Sequence, residues 1–451
     1  MHGRRGFCRT LRAMSPRYWT IAVLTGAALA APVAAQSPAQ QAPPPPMFRS
    51  SVTLVTVDVT VLDKDGRPVP GLTGDDFQVK LNGKTQPVRA LSYVQVATKA
   101  GDLVVTDIAP ETTGRHVVTN STPPESRLFV LFVDDLSIPP GGAKSFFEAA
   151  ARWVGRLPAE DAVGLANTTG TVVVNPTRER APVMAALRRL TGEFTDPRRP
   201  LVPNGPTVSI AEALDIVDYN DVGTLRNVIA RECFGGNANE ASSGSIEFLV
   251  ARNQCAGQAQ GAARMIAAQT RAATRRQVDA VMAAVAAMKP AKGLKQLVLM
   301  SQGIGVTRNS YGTFEPVARV AADAGVQVSV LMEGGDEVDM ADGGRSPENV
   351  RGDSAGSPDA GLTARRREDR RMFQSSGQTL ADATGGFYQT IVGAADQAFD
   401  RAQVAGSAVY RLGVEPPADA PEGAAFSVSA SVKKTGVTLH ANRQAVVPGP
   451  P

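Results

Sequence analysis

The sequence predicts an α/β protein, a doubly wound and mostly parallel Rossmann-like sheet, with a small N-terminal antiparallel β-sandwich and a short β-rich C-terminal tail. Three observations carry this. RLFVLFVD (127–134) is apolar on both faces, as a central parallel strand covered by helices on both sides must be. After it, strand-like and helix-like segments alternate as far as residue 391, the order that builds right-handed crossovers. Before residue 98 and after residue 406 the pattern is instead period-two alternation broken by turn residues.

Length agrees with more than one folded unit, since 451 residues exceed the roughly 250–300 at which single cores stop growing. A chain 43% hydrophobic and 20% charged is globular, and its 43 Gly and 32 Pro imply many turns.

In chain order, residues 1–35 read as an export signal. Arg4, Arg5, Arg9, Arg12 and Arg17 form a basic leader, IAVLTGAALAA (21–31) an apolar core, and Val33-Ala34-Ala35 a small-residue cleavage site. The apolar run is short of the ~20 residues a membrane span needs. An exported, periplasmic or extracellular protein is expected, without an integral membrane segment once the leader is removed. Removing the leader's five arginines from the net +4 leaves −1, so the pI of 9.0 belongs largely to a discarded piece and nucleic acid is not an expected partner. Residues 36–47 are a proline-rich linker.

The predicted sandwich spans 48–98. SVTLVTVDVTVLD (51–63) alternates β-branched and polar residues, and DDFQVKLNGKTQPVRALSYVQV (75–96) folds back at Asn82-Gly83, a strong hairpin signal. The α/β domain spans 125–405. Helical spacing marks 142–158, 182–190, 256–288, 314–325 and 370–384; strands fall in 161–177, 294–303, 326–333 and 385–391. Two insertions interrupt it, at 231–255 and at 334–364, the second rich in Gly, Asp, Ser and Pro. The β-rich tail covers 406–447.

Cys8 leaves with the leader, while Cys233 and Cys255 remain as an even pair in an exported chain with no histidine nearby. A disulfide is expected, two separate thiols being the alternative.

In an open α/β sheet, ligands bind at the carboxyl ends of the strands. Asp134, Asp135 and Ser137 lie there, and converging carboxylates and hydroxyls suit a hard cation such as Mg²⁺. The same acids could instead cap the following turn or helix through backbone N–H groups.

Other motifs lead away from catalysis. Arg351-Gly352-Asp353 is explained by the composition of its loop, and RRREDRR (365–371) reads as the solvated start of a helix. Of three histidines, His2 leaves with the leader and His116 and His440 fall outside the α/β core, which argues against Ser-His-Asp chemistry. Met265, Met282 and Met288 read as core. No phosphate loop, nucleophile elbow or zinc cluster appears in the sequence.

The strand-then-acid start and NGPTVSIAEALDI (204–216) resemble the von Willebrand factor A domain. More closely, FRSSVTLVTVDVTVLDKDGRPVPGLTGDDFQVKLNGK, RLFVLFVDDLS and the closing YRLGVEPP…VKKTGVTLHANR resemble exported, von Willebrand factor A-related proteins of Acidobacteria. The resemblance implies a von Willebrand factor A-like sheet and a metal-ion-dependent adhesion site built from D-x-S-x-S, a distant Thr and a later Asp. Asp134 or Asp135, Ser137 and Thr207 match part of it. Pro139 stands where the last serine belongs, and Ser301-Gln302-Gly303 lacks the later aspartate. The implied site is degenerate. The expectation is an exported, non-enzymatic protein-binding or scaffolding protein with no resident cofactor. The alternatives are a Mg²⁺-dependent adhesion module with a working site, and a metal-dependent hydrolase using Asp134 and Asp135.

Overall fold

The computed structural model describes residues 54–96, 98, 127–198, 205–234, 246–306, 310–334 and 358–449. The expected leader and linker, His116 and Arg351-Gly352-Asp353 lie outside these residues.

The described chain opens with β1 (Val55–Asp63), β2 (Phe77–Leu81), β3 (Lys84–Gln86) and β4 (Val88–Gln95). Val55, Val57, Val59 and Val61 are buried at every second position of β1, the period-two pattern of a half-buried strand. Asn82 and Gly83 join β2 to β3 with φ of 47° and 78°, the two left-handed residues of a tight hairpin.

The α/β region follows: β5 (Arg127–Val133), α1 (Lys144–Arg156), β6 (Ala162–Asn167), β7 (Val173–Thr177), α2 (Arg180–Leu187), α3 (Ile210–Asp218), α4 (Val222–Phe234) and α5 (Ile246–Ala287). It continues through β8 (Leu294–Ser301), α6 (Ser310–Ala324), β9 (Val326–Glu333), α7 (Pro358–Thr384), β10 (Tyr388–Ile391) and α8 (Asp396–Ala405). The six strands form one sheet in the order β10-β9-β8-β5-β6-β7, parallel except for edge strand β7. All of β5 is buried because both of its faces are covered. Phe129, Leu131 and Val133 pack with Trp153 and Phe399 on one side; Leu128, Val130 and Phe132 pack with Val281, Val285 and Phe314 on the other. Strand order turns back between β5 and β8, which places the sheet's switch point there.

Helix α5 is longer than its sequence pattern suggests, 42 residues beginning at Ile246 rather than near 256. From Val278 onward it packs on the sheet. Residues 246–276, about 46 Å at 1.5 Å per residue, precede the sheet's edge. Ala259, Ala263 and Ile266 in that stretch pack with Ile210, Leu214 and Val228 to form a helical cap. The 231–255 segment is therefore not one loop insertion: residues 231–234 end α4 and 246–255 begin α5, two helices that lie against each other. Cys233 and Cys255 join these helices in a disulfide with Cα atoms 5.8 Å apart. The 334–364 insertion is likewise shorter at its far end, since α7 starts at Pro358, a residue preorganised for a first helical turn.

The C-terminal strands are β11 (Ala408–Val414), β12 (Ala425–Val432), β13 (Val437–Ala441) and β14 (Gln444–Val446). They do not form a separate tail. One sheet runs β13-β1-β11-β4 and the other β14-β12-β2-β3, so β11 lies between β1 and β4 as their shared partner. This corrects the division into an N-terminal sandwich and a C-terminal appendage: one sandwich is assembled from both, with the α/β region inserted between β4 and β11. The reason is polar satisfaction as much as packing, since β1 and β4 obtain their inner hydrogen-bonding partner only from β11. Tyr410 on β11 fixes the arrangement, its hydroxyl donating to Val69 O and accepting from Leu72 N while its ring packs on Phe77 and Tyr93.

The sandwich meets the α/β region at the amino ends of the parallel strands. Gln327, at the start of β9, donates to Thr60 Oγ1. Asn442 Nδ2 donates to Ala318 O, and Arg443 N to Ala383 O. Burial pushes the Asp58 carboxyl up, opposed by Arg411 and by Lys295 at the start of β8. The opposite, carboxyl edge carries the loops that follow the strands.

Candidate functional site

At the carboxyl edge β5 delivers Asp134 and Asp135. Asp134 N still donates to Met300 O, and the chain then turns through Ser137 N→Asp134 O and Ile138 N→Asp135 O. Both carboxylates are inside the protein, Asp134 1% and Asp135 0% exposed. A buried carboxylate needs donors, and each has three. Asp134 accepts from Ser301 Oγ at 2.7 Å, Gln277 Nε2 at 2.8 Å and Thr168 Oγ1 at 3.2 Å. Asp135 accepts from Thr169 Oγ1 at 2.5 Å, Asn167 Nδ2 at 2.7 Å and Thr169 N at 3.2 Å. Burial pushes the Asp134 carboxyl up to about 6, although the hydrogen bonds from Ser301 and Gln277 favour its ionised form.

Ser137 Oγ donates to Asp134 O, meets Ser301 Oγ at 3.1 Å and accepts from Gln302 N. The structure thus brings Asp134, Asp135 and Ser137 together, with Ser301 standing where the resemblance expects an aspartate. Thr207 is not part of this group. Its amide and hydroxyl both donate to Glu232 on α4, in a cluster with Arg231, Glu212 and Arg365.

The donor set does not fit Mg²⁺. All four carboxylate oxygens receive N–H or O–H groups from the protein and both side chains are enclosed, so a hard cation, which needs several open oxygen ligands, would have to displace those donors. Thr207 lies in a different cluster, and among the described residues no group of three or more His, Cys, Asp or Glu is placed to hold a cation. Capping is not their role either, because α1 begins after Ala143, whose backbone is left-handed. The aspartates clamp two loops, 167–169 after β6 and 301–303 after β8, onto the end of β5.

Sequence reasoning missed Gln277, Asn167, Thr168 and Thr169. A signal for Gln277 was present: Val278, Val281 and Val285 form the buried stripe of α5, and Thr270, Thr274 and Gln277 extend it with polar side chains, all buried. The stripe changes character where the helix passes the end of the sheet.

Beside the aspartates a cleft of about 900 Å³ opens at the sheet's carboxyl edge. Ser137, Gln302 and Gly303 line its floor, Thr270 and Gln277 the α5 wall, Arg366, Arg370 and Phe373 the α7 wall, and Phe194 a flanking loop. Gly303 has φ +148°, and a Cβ there would meet Phe373 Cγ at 2.3 Å, so only glycine allows this approach. The arginine-rich 365–371 segment is not a helix start, although Arg366, Arg367, Glu368 and Arg371 are exposed as a solvated stretch would be. It lies within α7, where Asp369 is 2% exposed and accepts from Ala211 N and Arg198, and Arg365 pairs with Glu232. Burial raises the Asp369 carboxyl against those two donors.

No family model matches the chain, and no curated protein does. Among solved structures it is similar to BatB, a conserved hypothetical protein of Bacteroides thetaiotaomicron, at 14% identity over 61% of this chain and 95% of that one, with a TM-score of 0.29. The functional reading therefore rests on the geometry above.

Proposed function

We propose that the chain is an exported, non-enzymatic protein-binding or scaffolding protein. Its α/β region is von Willebrand factor A-like, and its metal-ion-dependent adhesion site has been replaced by an internal hydrogen-bonded clamp. One observation carries the reading: Asp134 and Asp135, at the switch point where such a fold would hold its cation, have every carboxylate oxygen taken by a donor of the same chain. The clamp fixes the 301–303 loop, whose Gln302 and Gly303 line the cleft, so this part of the rim is held in one shape before any partner arrives, which reduces the ordering cost of association. Neither aspartate is placed as a general base toward the cleft, because both are enclosed.

Calorimetric titration of the mature protein with Mg²⁺ and Mn²⁺, beside an Asp135→Ala variant, tests this. No heat in either protein is expected. Micromolar binding in the wild type that disappears in the variant would revive the adhesion module. Turnover of generic ester or phosphate substrates would overturn the non-enzymatic assignment.

A further inference from the structure

The two edges of the six-stranded sheet are finished differently. Edge strand β7 contains Pro176, its ladder with β6 shifts register between Val163 and Leu165, and Arg178, Glu179 and Arg180 follow it. Proline, bulges and charge are the devices that keep an edge from taking on another strand. Edge strand β10 has none of them. Residues 383–395, ATGGFYQTIVGAA, hold no proline and no charged side chain, and the ladder from β10 to β9 is regular. The direction of its main-chain groups follows from two hydrogen bonds: Val330 N donates to Phe387 O, and Gly334 N to Ile391 O. Alternate residues of a strand face alternate sides, so Phe387, Gln389 and Ile391 bond to β9 while Tyr388 and Thr390 turn their N–H and C=O groups to the open side. Among the described residues no hydrogen bond reaches those four groups. Tyr388 and Thr390 are only partly buried, and Val392 beyond them is 77% exposed. Both faces beside the edge are anchored, Ile391 in the cluster of Phe399 and Tyr388 against that of Leu380.

We infer that an extended, uncharged segment of a partner protein adds to β10 as a seventh strand, its main chain paired with Tyr388 and Thr390. This deepens the protein-binding reading and rests on it. Donors and acceptors repeated every second residue, roughly 6.6 Å apart on a strand, match the repeat of another extended backbone. Side chains set the rest of the preference. Tyr388, Thr390 and Val392 share one face, an aromatic and two β-branched residues, and such residues pair best across strands with others of their kind. With no charge in 383–395, an acidic or basic segment would gain nothing here over a neutral one. Because the packed faces already hold β10 extended, only the arriving segment has to be ordered.

The test uses the mature chain and a fluorescent peptide, Gly-Ser-Thr-Val-Thr-Ile-Thr-Val-Ser-Gly, beside a counterpart N-methylated throughout its central six residues. The parent peptide is expected to bind at least about tenfold more tightly than the methylated one, which has lost its main-chain donors. Binding should slow amide hydrogen exchange in 386–392. Thr390→Pro removes only an outward N–H and leaves the ladder to β9 intact, so it should weaken the peptide at least about tenfold while circular dichroism and melting temperature are kept. Val392→Lys, at an exposed position beyond the ladder, should weaken it as well and gives a second reading independent of proline.

Failure of the parent peptide to bind overturns the inference outright, and the cation and turnover measurements then decide the protein-binding reading by themselves. Equal binding of both peptides, or binding unchanged by Thr390→Pro and Val392→Lys, overturns the strand edge as the site and leaves protein binding standing elsewhere on the molecule. Sedimentation in which the mature chain alone is a dimer and Thr390→Pro a monomer overturns the foreign partner in favour of a second copy.

Discussion

Asp134 sets the expectations at the scale of single residues. Its folded-state pKa of about 6 lies above the 3.8 of an ordinary aspartate, so between those values the folded protein holds more protons than the unfolded chain. Asp134 therefore adds stability as pH falls from 6 toward 4, and its contribution is lost as pH rises through about 6, a limit of about 3 kcal/mol. Carboxylates with lowered values, such as Asp76 and Asp396, slope the other way, so the effect is isolated by comparison. Urea denaturation of wild type and Asp134→Asn from pH 4 to 7.5 should show a difference that changes with pH across this window; a constant difference would contradict it. Gly303→Ala, which places a methyl on the Phe373 ring and strains a positive φ, should cost about 2 kcal/mol in the same assay.

At the scale of elements, the disulfide gives the sharpest expectation. It closes a loop of sequence separation 22 between α4 and α5, for which chain entropy predicts about 3 kcal/mol. Cys233→Ser/Cys255→Ser should raise amide hydrogen exchange in α3 and α4 while β5 and β8 stay protected, because the cap has its own apolar cluster separate from the sheet's. Faster exchange throughout the sheet would show the cap and core to be one cooperative unit. What the sequence revealed at this scale follows how local each determinant is. The run RLFVLFV was legible because both faces of one strand declare its burial, and Asn82-Gly83 because a two-residue turn needs left-handed backbone. The start of α5 was not, since IEFLVARNQC has no clear apolar stripe and is held by α4 and the disulfide. Nor was the partner of Thr207, because Glu232 lies 25 residues away on another helix. Of the candidate site, the two aspartates and Ser137 were visible as a strand end, whereas their donors come from three other places in the chain: 167–169, Gln277 and 301–302.

For the whole molecule, the shared sandwich governs behaviour. Residues 48–98 expressed alone should be unfolded, since β1 and β4 lack the strand that joins them. A chain truncated after Ala405 should likewise lose the sandwich, with β1 to β4 becoming protease-sensitive while α1 and β5 remain protected by their own core. A folded 48–98 fragment, seen as dispersed amide resonances, would refute the interleaved arrangement's necessity. Mixing that fragment with a separately produced 127–449 chain should restore protection to both, because the missing contacts are all non-covalent.

Tyr410 and Leu72 stand 338 residues apart and yet share one hydrogen bond. A polypeptide emerging amino end first, from a ribosome or through a translocation channel, thus presents β1 and β4 long before β11 exists to join them. Closure of the sandwich must wait for nearly the last strands to arrive. The order of synthesis itself holds the first strands open, an interval in which chaperones or neighbouring chains meet an unpaired valine-rich edge.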